Sequence, residues 1–97
     1  MIVEAKIVKG SFFYDDGKLI GEMYIAELGG LRHFHGRNYG ASGIRAFRRA
    51  IDFLKDEVEI YSGCDKGNEK TIKILGILGF KYLGEKDDKI IFSKKKT

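Results

Sequence analysis

Residues 35–45 read HGRNYGASGIR, with three glycines, two arginines and no acidic residue. A helical pattern begins inside this stretch. The start of a helix presents backbone N–H groups with no intrahelical acceptor, together with the positive end of the macrodipole. Anions bind such ends. Glycine lets the backbone approach a ligand with no Cβ in the way. Gly40, Ala41, Ser42 and Gly43 are therefore candidates to aim amides at a phosphate, with Arg37 and Arg45 supplying charge. The spacing is neither GxxxxGK[ST] nor GxGxxG, so neither of those nucleotide-binding loops is indicated. A plain strand-to-helix turn with solvated arginines fits the same spacing. The wider charge pattern is more pointed. All five arginines fall within eighteen residues (32–49), and no Asp or Glu occurs from Leu28 through Ile51. The guanidinium is a planar, permanently charged fork of donors suited to phosphate.

Groups able to move a proton lie just upstream. His33 and His35 are spaced i, i+2, which puts both on one face of a strand. Either is a candidate general base, directly or through water. Glu27, at the end of the preceding strand, is another. A zinc site would need further ligands, and the sequence has no other His and a single Cys, so no metal is expected. Cys64 is expected to be a bystander thiol, because nucleophilic use requires a base partner.

The elements that position these groups follow from periodicity. Residues 2–8 alternate, with Val3, Ala5 and Ile7 on one face and Glu4 and Lys6 on the other, as in a half-buried strand. Gly10 is read as punctuation, and Phe12, Phe13 and Tyr14 as a second strand. Asp15-Asp16-Gly17-Lys18 is a hairpin turn. Leu19–Glu27 reads as a third strand, Gly29-Gly30 as a turn, and Leu31–His35 as a fourth strand. Ile44, Phe47, Ile51 and Leu54 form the apolar stripe of a first helix. Val58–Ser62 is a compact strand. Asn68 caps a second helix with apolar positions Ile72, Leu75 and Leu78, with Gly79 at its C-terminal end. Two strands, Phe80–Leu83 and Lys89–Phe92, close the chain around Asp87-Asp88. The β-α-β portion implies a parallel pair within a mostly antiparallel sheet. The expected fold is α/β (α+β), with about six to seven strands and two helices.

Ninety-seven residues make one domain with one modest core. We expect it to span residues 1–93, with 94–97 as a solvated basic tail. Lys94, Lys95 and Lys96 carry three of the four net positive charges, leaving +1 on residues 1–93. Overall basicity is thus no argument for nucleic acid. The N-terminus MIVEAKIVKG has charged residues and no long apolar run, so no secretory signal or membrane span is expected. The expected location is the cytoplasm.

The order of elements from Leu19 onward resembles the GNAT-type N-acyltransferases. RNYGAS (Arg37, Gly40, Ser42) is similar to their acyl-CoA-binding Arg/Gln-x-x-Gly-x-Gly/Ala segment, with Ser at the third position. NEKTIKILGILGF (Asn68–Phe80) resembles their later segment, where an Asn opens a helix and Gly-Phe enters a strand. The likeness covers roughly residues 17–93. It implies that acetyl-CoA is the donor co-substrate and that the backbone around Arg37, Asn38, Tyr39, Gly40, Ala41, Ser42 and Gly43 holds its pyrophosphate. It also implies that strands 31–35 and 58–62 splay around the pantetheine arm, which Asn68 helps position, and that a small-molecule or peptide amine is the acceptor.

Two departures accompany the resemblance. About three residues separate the first two predicted strands, where the family carries two helices that wall the acceptor site. That side is then open or closed by a second subunit, so a homodimer through strand 89–92 or the N-terminal strand is anticipated. The family's frequent Tyr general acid falls at Leu75, which cannot protonate a thiolate. Tyr61 or Tyr82 would have to substitute. The reading is a small N-acetyltransferase. Its alternative is a catalytically silent module of the same fold that binds CoA, a protein or a polyanion. The sheet lacks the aromatic pattern of RNA-binding sheets, so nucleic acid ranks last.

Overall fold

The computed structural model describes residues 4–38 and 43–96. The chain runs β1 (Lys6–Asp15), β2 (Lys18–Leu28), β3 (Leu31–Asn38), α1 (Gly43–Leu54), β4 (Glu59–Asp65), α2 (Glu69–Ile77), β5 (Lys81–Lys86) and β6 (Lys89–Lys95). The six strands form one sheet in the order β1-β2-β3-β4-β6-β5. Only β3 and β4 are parallel; every other neighbouring pair is antiparallel.

Turn chemistry sets the hairpins. Asp16 (φ 49°) and Gly17 (φ 78°) form the two-residue link between β1 and β2, and Gly29 (φ 59°) and Gly30 (φ 83°) link β2 to β3. Two consecutive left-handed residues match the twist of the flanking strands. Asp87 (φ 57°) begins the turn between β5 and β6.

Both helices pack on one face of the sheet. Phe13, Met23, Ile25 and Phe34 from the first three strands share one core with Ala50, Phe53 and Leu54 of α1. Ile60, Phe92, Leu75, Leu78 and Phe80 complete it. Asn68 caps α2 by accepting a hydrogen bond from the Thr71 N–H at 3.2 Å. The helix stops in a Schellman arrangement, with Phe80 N–H on the Leu75 carbonyl and Gly79 N–H on the Gly76 carbonyl. Gly79 has φ +96°, as that position requires.

Five expectations are corrected. Gly10 does not break the chain into two strands. It pairs with Tyr24 inside the single strand β1, and the local irregularity is a bulge at Val8. Ile7 lies on the helix-free face at 65% exposure, not half-buried. On α1 the buried stripe runs through Phe47, Ala50, Phe53 and Leu54, while Ile51 is 45% exposed. Ala50, Phe53 and Leu54 take the core-facing side of the helix, which leaves Ile51 on the flank. Lys94 and Lys95 are not a tail, since they extend β6 opposite Ile60 and Glu59. Strand 89–95 is also not an edge, because β4 and β5 flank it, so it cannot be the anticipated dimer contact. The edges are β1 and β5.

Two further links hold α1 in place. Lys9 of β1 donates to the Phe53 carbonyl at 2.6 Å and sits 4.5 Å above the Phe53 ring. A cation at a helix C-terminus answers the macrodipole, and α1 has no basic residue of its own in its last turn. Arg32 forms a two-pronged ion pair with Glu57, at 2.7 and 3.3 Å, tying β3 to the segment after α1.

Candidate active site

The distinctive feature of the sheet is how little β3 and β4 touch. Their parallel ladder holds one register pair, His33 with Tyr61. By contrast, β2 and β3 pair over eight positions. Beyond His33 the two strands part. The Phe34 carbonyl, which points toward β4, accepts instead from the hydroxyl of buried Ser62 at 3.0 Å. Backbone polar groups alternate direction along a strand. The N–H groups of Gly36 and Asn38 therefore also point toward β4, where no described residue pairs with them. A backbone donor facing a gap is suited to a bound polar group.

Side chains on the helix-free face border this gap. Strand alternation puts His33 and His35 together there, with Arg37 next on the same side. The Tyr24 and His35 rings stack with centroids 5.0 Å apart, and His33 lies 6.0 Å from the Tyr61 ring. An open groove of about 520 Å³ runs along the parting, lined by His33, His35, Tyr61, Leu31, Leu83 and Ile91 among others.

The electrostatics assign different tendencies to these groups. Desolvation, and secondarily the charge of neighbouring His33, lower the pKa of His35 from its ordinary value. A neutral imidazole can accept a proton from an ammonium. Tyr61 is shifted the other way. Its hydroxyl donates to Glu59 at 2.5 Å, and that bond, with desolvation and the carboxylate charge, raises its pKa. Its proton is engaged, which makes it a poor acid for a leaving thiolate. The Lys89 ammonium, at the groove's edge, is held by Asp65, whose hydrogen bond raises the Lys89 pKa. The Cys64 thiol is buried against the core, and burial pushes its pKa up, as for a bystander.

The structure brings some predicted residues together and separates others. His33, His35 and Tyr61 converge on the groove. Glu27 does not join them, since it shares the face of Ile25 and Arg32 and is exposed at the end of β2. Asn68 opens α2 just after β4 and uses its carbonyl oxygen as the helix cap. Tyr82 packs edge-on to Phe92, at 6.4 Å, on the helix side of β5. Leu75 is 3% exposed in the core. Tyr39, Gly40, Ala41 and Ser42 lie outside the described residues; Gly43 begins α1. The arginine cluster also divides. Arg32 serves Glu57, and Arg49 lies 5.9 Å above the Phe13 ring. Among the described residues no three His, Cys, Asp or Glu side chains are grouped to hold a metal.

Sequence reading missed Ser62, Glu59 and Lys89. Ser62 had a detectable signal, because alternation with Ile60 and Cys64 puts it on the apolar side of β4, where a hydroxyl requires an acceptor.

A solved structure decides what this frame is. The crystal structure of the ribosomal-protein-S5-alanine acetyltransferase from Vibrio fischeri superposes with a TM-score of 0.65 at 25% identity. The chain's fold is that of a GNAT acetyltransferase. The match covers 82% of this chain and 56% of the Vibrio protein, so the chain spans little more than half of that neighbour's length. No family model and no curated protein matches the sequence. No helix among the described residues is long and apolar enough to cross a membrane.

Proposed function

We propose that this chain is an acyl-CoA-dependent N-acyltransferase domain that moves an acetyl group from acetyl-CoA to an amine. The observation that carries the reading is the parting of β3 and β4 after a single register pair, inside a GNAT-like fold. The residues present suit such a co-substrate. The Gly36 and Asn38 N–H groups would orient a carbonyl lying in the gap and polarise it as negative charge develops on its oxygen. Arg37, with the glycine-rich segment after it, would supply the positive end for a pyrophosphate. The acceptor amine must arrive deprotonated. His35, with its depressed pKa and its place at the groove, is the base we assign, and His33 is its alternate. The amine nitrogen forms the new C–N bond, its surplus proton passes to the imidazole, and the C–S bond breaks. Among the described residues no side chain in the groove is a ready acid, so the thiolate is expected to take its proton from water. Most of the rate advantage would then come from positioning.

A CoA-binding module without turnover is the second reading. It is favoured by the buried Leu75 in place of a tyrosine and by the commitment of Tyr61 to Glu59.

Titration with acetyl-CoA, followed by calorimetry and thermal shift, tests the first step, because a ligand bound only by the folded state raises its melting temperature. Binding that weakens in Arg37→Ala supports the proposal. Absence of binding at millimolar ligand removes both readings. Turnover with a panel of amines, lost in a His33/His35 double replacement that still binds acetyl-CoA, separates the enzyme from the silent module.

A further inference from the structure

β1 is an edge of the sheet along its whole ten-residue length. It is not blunted by proline or by a covering element among the described residues. Ile7, Phe12 and Tyr14 are 65%, 62% and 62% exposed, and all three lie on the helix-free face. An open edge bearing apolar side chains is a template for another strand. This sheet also shows how it treats a strand glycine. Gly21 sits directly opposite Phe13, whose ring lies so close that a Cβ at Gly21 would come within 2.3 Å of it. An aromatic ring thus covers a cross-strand glycine and seals the gap left by the missing side chain.

We propose that the outer edge of β1 pairs antiparallel with β1 of a second copy, about a two-fold axis at Ser11. In that register Phe12 lies opposite Gly10 of the second copy, repeating the Phe13–Gly21 arrangement with a ring that is otherwise exposed. The bulge at Val8 shifts the alternation by one residue. Past it, Ile7 meets Tyr14 of the second copy on the helix-free face. Each contact occurs twice, as an isologous interface demands. Centring the axis one residue later, on Phe12, shortens the overlap and leaves Ile7 uncovered. The opposite edge, β5, is a poorer candidate, because full antiparallel overlap sets Lys81 beside Lys86 of the second copy. β1 offers ten residues, fewer than the roughly 20–30 a side of a standard interface, so association in the micromolar range is expected. This inference is independent of the acyltransfer reading.

Sedimentation equilibrium across the micromolar range is expected to move the mass from 11.0 kDa toward twice that value. Phe12→Lys should weaken self-association by roughly tenfold or more, while its melting curve at low concentration stays that of the wild type, since the ring is exposed. Ser11→Cys tests the axis independently. Directly opposed residues have Cα atoms about 4.5–5.5 Å apart, within disulfide reach, so oxidised glutathione should link the variant into covalent dimers. The wild type, whose Cys64 is buried, should stay unlinked. A mass fixed at 11.0 kDa throughout overturns the proposal. So does a dimer that crosslinks through Gly84→Cys on β5 and not through Ser11→Cys.

Discussion

Replacing Ser62 with alanine should report directly on how the sheet is held where β3 and β4 part. Ser62 is 7% exposed, and its hydroxyl donates to the Phe34 carbonyl at 3.0 Å. Nearly the same volume remains after the substitution, so the cavity contribution is small. The main loss is a satisfied acceptor. A buried carbonyl left without a donor costs about 1–3 kcal/mol. For a domain of this size each kcal/mol corresponds to roughly 4–8 °C in melting temperature, so a fall of about 4–24 °C is expected. Urea unfolding of the wild type and Ser62→Ala, with matching slopes, gives the free-energy difference. A loss below about 0.3 kcal/mol, well under the expected range, would mean that the Phe34 carbonyl finds another donor. The strands would then not be parted there, and the gap described above would be closed or differently shaped. Acetyl-CoA binding by the same variant is the companion measurement. A relaxed β4 should weaken it even at temperatures where the variant is fully folded.

Three other outcomes follow from specific contacts. Gly21→Ala should destabilise the fold by about 1–3 kcal/mol through overpacking, because the added Cβ would collide with the buried Phe13 ring; chemical denaturation measures it. Lys9→Met, which removes the donor to the Phe53 carbonyl at the end of α1, should cost about 1–2 kcal/mol by the same method. His35 has its pKa lowered by desolvation and by His33, so the unfolded chain takes that proton first. Its contribution is full above the ordinary histidine pKa and is lost as pH falls through that value toward the depressed folded one. His35→Gln should flatten this segment of the stability profile, and an unchanged acid slope would place its origin elsewhere.

Much of the fold was readable because local chemistry and tertiary structure agree. Asp16-Gly17 and Gly29-Gly30 admit positive φ at both positions and sit between alternating segments. Asn68 and Gly79 bracket α2 with a cap at each end. The errors arose where a neighbour overrides local pattern. Gly10 reads as a break in isolation, but Tyr24 of β2 pairs with it and carries the strand through. Ile51 fits an apolar period, yet Ala50, Phe53 and Leu54 take the core-facing side and leave it on the flank. The site divides in the same way. His33 and His35 fall together because alternation alone puts them on one face. The partners that set their behaviour come from distant positions. Tyr61 and Ser62 lie on a strand reached only through a crossover helix, and Glu59 fixes the Tyr61 phenol through tertiary register. The arginine cluster is the clearest case. The five arginines lie within eighteen residues of sequence, but in space Arg32 is paired with Glu57 and Arg49 lies over Phe13.

Acyl-CoA, on the function proposed above, lies in the gap between β3 and β4. Backbone amide NMR of the full chain during an acetyl-CoA titration tests it most directly. Saturable shifts concentrated at Gly36, Asn38, Tyr61 and Gly63 are expected, with β1 and β5 nearly unmoved. Shifts confined to the outer strands, or none at millimolar ligand, would contradict it.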